Sequence, residues 1–242
     1  MFILFHLLVG ILLGYLLADR LGTRAVVLPC MIGALLPDLV DKPLGILILG
    51  GSLGSGRIFL HTLLFLLVLL LAGAVAYRRY GPALLAVGVG VASHQALDAM
   101  WAEPKAWLFP LLGLSAPMTN TEGWFVRMFF AELTNPLEWV SAAALVVLLL
   151  PVLWPAGTSA FAARFGRLLR PLALAAAVLV AALGLLVVGG GAFRRFTSGA
   201  GALGDAVLWY AVMGGAVLLL TAYALYRLAA RLSGDAASIG LK

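Results

Sequence analysis

Seven runs of roughly 17–26 mostly apolar residues pass through this chain, at 2–18, 24–40, 57–76, 82–101, 137–154, 171–192 and 205–230. About 20 such residues is the length a helix needs to cross the hydrocarbon core of a bilayer. The second run is interrupted by Pro29 and Pro37. Charge decides between buried core and membrane. Only 11% of the 242 residues are charged, against about a quarter in a soluble domain. The chain therefore lacks the charge to cover a water-facing surface. Backbone exposed to lipid must satisfy its own hydrogen bonds, so each run is expected to be helical. The expected fold is all-α, a polytopic transmembrane bundle of about seven spans. It divides into a four-span half, 1–136, carrying an outward-facing interfacial loop, and a three-span half, 137–242, within a single membrane domain. Residues 1–18 lack a basic n-region and form too long an apolar run for a signal peptide, so they read as a retained first span. Gly10 and Gly14 form a small-xxx-small pair suited to close helix packing.

The net charge of +6 comes from basic residues in small groups between apolar runs, which fits membrane loops and excludes a nucleic-acid surface. Arg20, Arg24, Arg78, Arg79, Arg164, Arg167, Arg170, Arg227, Arg231 and Lys242 fall on one side of the alternating spans. Lys42, Arg57, Lys105, Arg127, Arg194 and Arg195 fall on the other. The richer set belongs in the cytoplasm of a prokaryotic inner membrane, which puts the N-terminus outside and the C-terminus inside. The one cysteine, Cys30, excludes an intramolecular disulfide and a thiolate-rich metal site.

Several polar residues lie where lipid should exclude them. All three histidines, His6, His61 and His94, sit in apolar runs, and Asp38, Asp41 and Asp98 lie near the ends of the second and fourth. Alternation brings all six to the same face, the outer one, at similar depth. His94 and Asp98 are four apart, as are Arg57 and His61, and Asp38 and Asp41 are three apart. Each pair therefore shares a helix side. An ionisable group within a span costs roughly 2.5–3.5 kcal/mol on insertion scales and needs a partner or a function. Taken singly, each has a plain reading: a histidine bonding across helices, Asp38 closing a turn after Pro37, Asp98 pairing with His94. Six imidazoles and carboxylates together suit a divalent metal, with Zn the first choice and Mn, Fe or Mg the alternatives.

At these residues the chain resembles the prokaryotic membrane-bound metal-dependent hydrolase family (YdjM-like). The resemblance runs through His6, then Leu36-Pro37-Asp38 with Asp41, then Arg57 and His61-Thr62, then Ser93-His94 and Asp98, then Trp107-Leu108-Phe109-Pro110. It covers roughly residues 1–115. Three positions depart from the family pattern. Asp41 comes one residue late, Gly56 stands where a histidine precedes the arginine, and Leu60 stands where a threonine precedes the histidine. The departures count against a two-metal site and leave room for a one-metal or degenerate one. The resemblance implies a metal and suggests hydrolysis, without naming a substrate.

The expected mechanism has a metal held by some of His6, Asp38, His61, His94 and Asp98, with Asp41 a ligand or the general base. Arg57 would hold an anionic substrate oxygen, with Lys42 a weaker candidate. The segment 50–56 reads as a flexible connector before a backbone phosphate cradle. Depth near the interface implies membrane lipid as partner and a lipid-like substrate, a phospholipid or a lipid-linked phosphate or ester. The loop 102–136, with Glu103, Glu122, Trp124, Arg127, Glu132 and Asn135, reads as an interfacial segment or lid. Glu138 reads as a first-turn acid or a further ligand, and Asp205 as an N-cap. Two other functions fit less well. An ion or proton path would set polar groups through the whole depth, whereas these gather at one face. A lipid-binding protein with a purely structural metal differs only in lacking an open coordination position.

Overall fold

A computed structural model of the chain describes residues 3–49, 55–113, 122–153, 155–198 and 202–232. These residues are helical or in turns, with no strand among them. They form two compact units, Met1–Val147 and Leu148–Lys242.

In the first unit, α1 (Ile3–Leu21) leads through a 3₁₀ turn (Arg24–Val26), capped by the Thr23 hydroxyl, into α2 (Val27–Lys42) and a π-helical turn (Pro43–Ile48). Next come α3 (Leu63–Tyr80) and α4 (Ala83–Leu97). A 3₁₀ turn (Met100–Ala102) then leads to the one-turn α5 (Pro104–Trp107), followed by α6 (Trp124–Thr134) and α7 (Pro136–Leu153). α2 is central and packs on both α4 and α1, and α3 packs on α4. Glycines set how closely these helices approach. A Cβ on Gly10 would lie 2.6 Å from Ala34 Cβ, and one on Gly14 2.9 Å from Val27 Cα, so α1 rests on α2 through the pair noted above. Gly33 meets the Val87 backbone and Gly90 meets the Cys30 carbonyl, which brings α2 against α4 in the same way. Cys30, unpaired and fully buried, belongs to the core they enclose with Ala18, Val26 and Ala86. α3 shows the opposite face. Leu64, Leu67, Val68, Leu71 and Val75 follow a helical stripe and are each at least 55% exposed. An apolar helix stripe left outside the core suits a lipid environment.

Beyond the end of α7, which crosses the boundary, the second unit consists of α8 (Pro155–Ser198) and α9 (Ala202–Leu232), packed side by side. A Cβ on Gly184 would come within 3.0 Å of the Gly215 carbonyl oxygen.

The expectation of about seven spans is met only in part. A helix covers most of each apolar run, but among the described residues three helices are long and apolar enough to cross a bilayer: Ile3–Leu21, Leu63–Tyr80 and Arg164–Ala192. The number reaches four if α6 and α7, bent by 69° at their junction, count as one broken span. α2 and α4 fall short because they have 16 and 15 residues, roughly 22–24 Å of helix at 1.5 Å per residue. α4 stops at Leu97 because Ala99 adopts a left-handed conformation, φ 50°. The loop expected around Arg164, Arg167 and Arg170 is instead the first part of α8. Alanine, leucine and arginine are strong helix formers, and Pro171 lies inside that helix without ending it. The 11-residue α6 lies within the expected interfacial loop, 102–136. Asp205 lies inside α9, whose first residue is Ala202, so it is no N-cap. Residues 50–54 of the glycine-rich segment, Asp235 and Lys242 lie outside the described residues.

The α2–α4 contact yields the first prediction. A Gly90→Leu side chain would press on the Cys30 carbonyl and the Ala34 amide, backbone atoms that cannot rotate away. Overpacking of this kind costs about 1–3 kcal/mol. The thermal midpoint in detergent is expected to fall, whereas Gly22→Ala, which meets nothing within 4 Å but sits at φ +66°, should cost less.

Candidate metal centre

The site grows from four pieces of backbone that the α1–α2–α4 packing brings together. α1 contributes His6, α2 contributes Asp38, Asp41 and Lys42, the segment before α3 contributes Arg57 and His61, and the end of α4 contributes His94 and Asp98. His61 and His94 are fully buried, and His6, Asp38, Asp41 and Lys42 are all below 9% exposure.

The imidazoles are oriented from behind. His61 Nδ1 lies 2.8 Å from Asp41 Oδ2, and His94 Nδ1 lies 2.7 Å from the Ala34 carbonyl oxygen. A carboxylate and a carbonyl can only accept. Each Nδ1 must therefore carry the proton, which leaves Nε2 as a bare lone pair in the neutral ring; this tautomer is inferred from the partners. The two Nε2 atoms face each other at 3.2 Å. Asp38 Oδ1 lies 3.4 Å from His61 Nε2 and 3.6 Å from His94 Nε2, and it is buried without a hydrogen bond. Three electron-rich atoms thus converge with no donor between them. Unbridged, that would be repulsive and costly.

A metal ion fits this gap. Ligands about 2.0–2.1 Å from a tetrahedral zinc stand about 3.3 Å from one another, close to the 3.2–3.6 Å found here. Asp98 supplies a fourth donor, since one ligand atom from each of Asp38, His61, His94 and Asp98 lies within 4.8 Å of all the others. The donors are nitrogen and oxygen with no sulfur, as the sequence predicts.

The remaining expected residues surround these four. His6 Nε2 is 3.4 Å from Asp98 Oδ1, and its ring lies 4.5 Å from that of His94. Asp41 stands behind His61, outside the ligand group. Its Oδ2 accepts from four successive amides, Ile58, Phe59, Leu60 and His61, at 2.9–3.1 Å, as well as from His61 Nδ1. A turn of inward-pointing N–H groups is a natural carboxylate seat. Arg57 does not reach out freely. Its Nη2 binds Asp98 Oδ2 at 2.8 Å, and its Nη1 binds Glu103 Oε1. Lys42 Nζ pairs with Asp38 Oδ2 one turn away on α2.

One further support, Gln95, has no counterpart among the residues that the sequence singles out. Gln95 donates to the Leu60 and Thr62 carbonyls and accepts from Trp107 Nε1, which ties the His61 segment to α4 and α5. The one available signal was its place next to Ser93-His94 in an otherwise apolar helix. Glu138, in the first turn of α7, accepts from the Leu4 and Phe5 amides. It caps the first turn of α1 immediately before His6 and does not join the ligand atoms.

Residues 1–232 match the family model described as YdjM inner membrane protein. The chain belongs to that family. Comparison with curated proteins and with solved structures gives no significant match. Membership of this inner membrane family agrees with the apolar helices, and the His/Asp cluster could hold a metal ion.

Because Asp41 holds His61 from behind, its loss should be graded. In a Co²⁺ or Zn²⁺ titration, Asp41→Asn is expected to weaken binding about 10–100-fold, the usual effect of removing a partner of a ligating histidine. His61→Ala should abolish it.

Proposed function

We propose that this YdjM-family protein is a membrane-embedded metal-dependent hydrolase acting on an amphiphilic substrate, a phospholipid or a lipid-linked phosphate or ester. The observation that carries the reading is the convergence of His61 Nε2, His94 Nε2 and Asp38 Oδ1, three buried acceptors with edges of 3.2–3.6 Å. Zinc suits two imidazoles and carboxylate oxygens at tetrahedral spacing best, with manganese, iron or magnesium as alternatives. His61, His94 and Asp38 would hold the ion, with Asp98 as the fourth ligand and His6 beside it. The chemistry that a bound divalent ion supplies is a lowered pKa for water and polarisation of the scissile group.

The chain's own residues do the rest. Asp41 and the Ala34 carbonyl keep the protons of His61 and His94 on Nδ1, so that Nε2 stays free as a donor atom. With its oxygens taken by backbone amides, Asp41 serves positioning better than general-base work. Arg57, 30% exposed at its side chain while its partners Asp98 and Glu103 are 10% and 52% exposed, stands at the open side of the cluster. There a phosphate or carboxylate oxygen can compete with Glu103 for the guanidinium.

The reading includes seven spans, α2 and α4 among them as short ones, with the site towards the outer face and the C-terminus in the cytoplasm. The apolar stripe on α3 and the surplus of basic residues on one side of the alternation support it. Fusions of a fluorescent protein and of periplasmic alkaline phosphatase to the C-terminus test the orientation. Only the fluorescent fusion is expected to be active, and the reverse would overturn it.

A proton relay is the competing reading, because a proton shared between His61 Nε2 and His94 Nε2 would also relieve their repulsion. Four donor atoms within 4.8 Å are more than one proton can bridge, which favours the metal. Elemental analysis of protein purified without chelator decides. Bound zinc, manganese or iron is expected in the parent and absent from a His94→Ala/Asp98→Ala variant. The loaded protein should then cleave phospholipid or lipid phosphate in mixed micelles, and Arg57→Gln should slow it roughly 100-fold or more. No metal, even when offered, would return the cluster to proton chemistry. Metal without turnover on any lipid tried would make the ion a helix clamp.

A further inference from the structure

Lys42 is among the least expected residues of the site. A lysine is rarely buried unless paired, yet its side chain and that of Asp38 are 7% and 8% exposed. Four-residue spacing on α2 places its Nζ on Asp38 Oδ2. The space it uses depends on a glycine, because a Cβ on Gly56 would lie 3.2 Å from Lys42 Cγ. Arg57 repeats the pattern across the cluster, with Nη2 on Asp98 Oδ2.

Both ligand carboxylates are thus divided in the same way. Their Oδ1 atoms face the imidazoles, and their Oδ2 atoms are held by a fixed cation. In a two-metal centre, with ions about 3.5–4 Å apart, those outer oxygens would be needed for the second ion. Charge points the same way. Four carboxylates, Asp38, Asp41, Asp98 and the half-exposed Glu103, face two fixed cations, Lys42 and Arg57. One divalent ion neutralises the remaining double negative charge, and a second would leave two uncompensated positive charges at a largely buried site, which is unfavourable.

We infer that Lys42, together with Arg57, stands where a second divalent ion would bind and so holds the centre to one metal. The inference rests on the proposed reading of the cluster as a metal centre. Lys42 is a positioning and charge-setting residue here, and it need not touch substrate.

The test is a Co²⁺ titration of the full-length, chelator-stripped protein in detergent, followed by visible absorption and equilibrium dialysis. The wild type is expected to take up one equivalent. Lys42→Met, which removes the charge and keeps the length, should bind that ion at least tenfold more tightly, and Lys42→Arg should stay within about threefold of wild type. Arg57→Gln provides an independent arm with the same expected direction should Lys42→Met fail to fold, as judged by circular dichroism. Two equivalents in the wild type, or neutral variants that bind no more tightly, would overturn the inference and leave the metal reading intact. No uptake by the wild type would instead overturn the metal reading itself.

Discussion

Two imidazole lone pairs and a carboxylate oxygen face one another inside the protein, and the first unit is arranged to keep them there. The 3.2 Å approach of His61 Nε2 to His94 Nε2 gains nothing by itself. It is tolerable only if a cation lies between the atoms, or if each ring is held so firmly that it cannot turn away. The structure shows the second condition directly. Asp41 fixes His61 and is itself fixed by the Ile58, Phe59, Leu60 and His61 amides, while the Ala34 carbonyl fixes His94. Orienting a ring this tightly towards other acceptors is what metal sites do with their outer hydrogen bonds.

That requirement accounts for features of the fold that would otherwise be odd. His94 can reach the Ala34 carbonyl only because α2 and α4 touch backbone to backbone at Gly33 and Gly90. The segment carrying His61 is irregular, and irregular backbone within an apolar bundle needs partners for its polar groups. Asp41 takes its amides and Gln95 takes its carbonyls. α1 is held by Glu138 at its first turn, which fixes the height at which His6 meets Asp98. The polar network and the helix packing are therefore one structure, and loosening either would disturb the other.

The composition of the site was legible in the sequence, and its division of labour was not. His6, Asp38, His61, His94 and Asp98 could be brought together by alternation and spacing alone, because ionisable residues in apolar runs are rare enough to stand out. Asp41 looked like Asp38, since spacing along a helix does not say which carboxylate faces the cluster and which faces a neighbouring turn. Arg57 looked free because its partners, Asp98 and Glu103, lie 41 and 46 residues away in sequence. Helix positions were legible from the apolar runs, but their ends were not. The left-handed Ala99 that stops α4 carries no signal of its own, and nothing between Pro155 and Ser198 except Pro171 suggested how far α8 would extend.

The shortness of α2 and α4 bears on how such a site could be used. At roughly 22–24 Å, α4 and the α-helical part of α2, which a π-helical turn continues to Ile48, are shorter than a hydrocarbon core of about 30 Å, and short helices are accommodated by thinning of the bilayer or by polar groups reaching the interface. Asp38 and His94 lie in the last turns of these α-helices, and Asp98 caps α4. On the proposed reading, the mismatch therefore brings the cluster and the headgroup region to a common depth. A lipid could present its polar bond to the site without leaving the membrane, and Arg57, the partly exposed cation at the edge of the cluster, would be the group it meets first. A water-soluble substrate would need no such placement. On the proposed reading, the helix lengths and the position of the cluster therefore support an amphiphilic substrate independently of the coordination chemistry of the site.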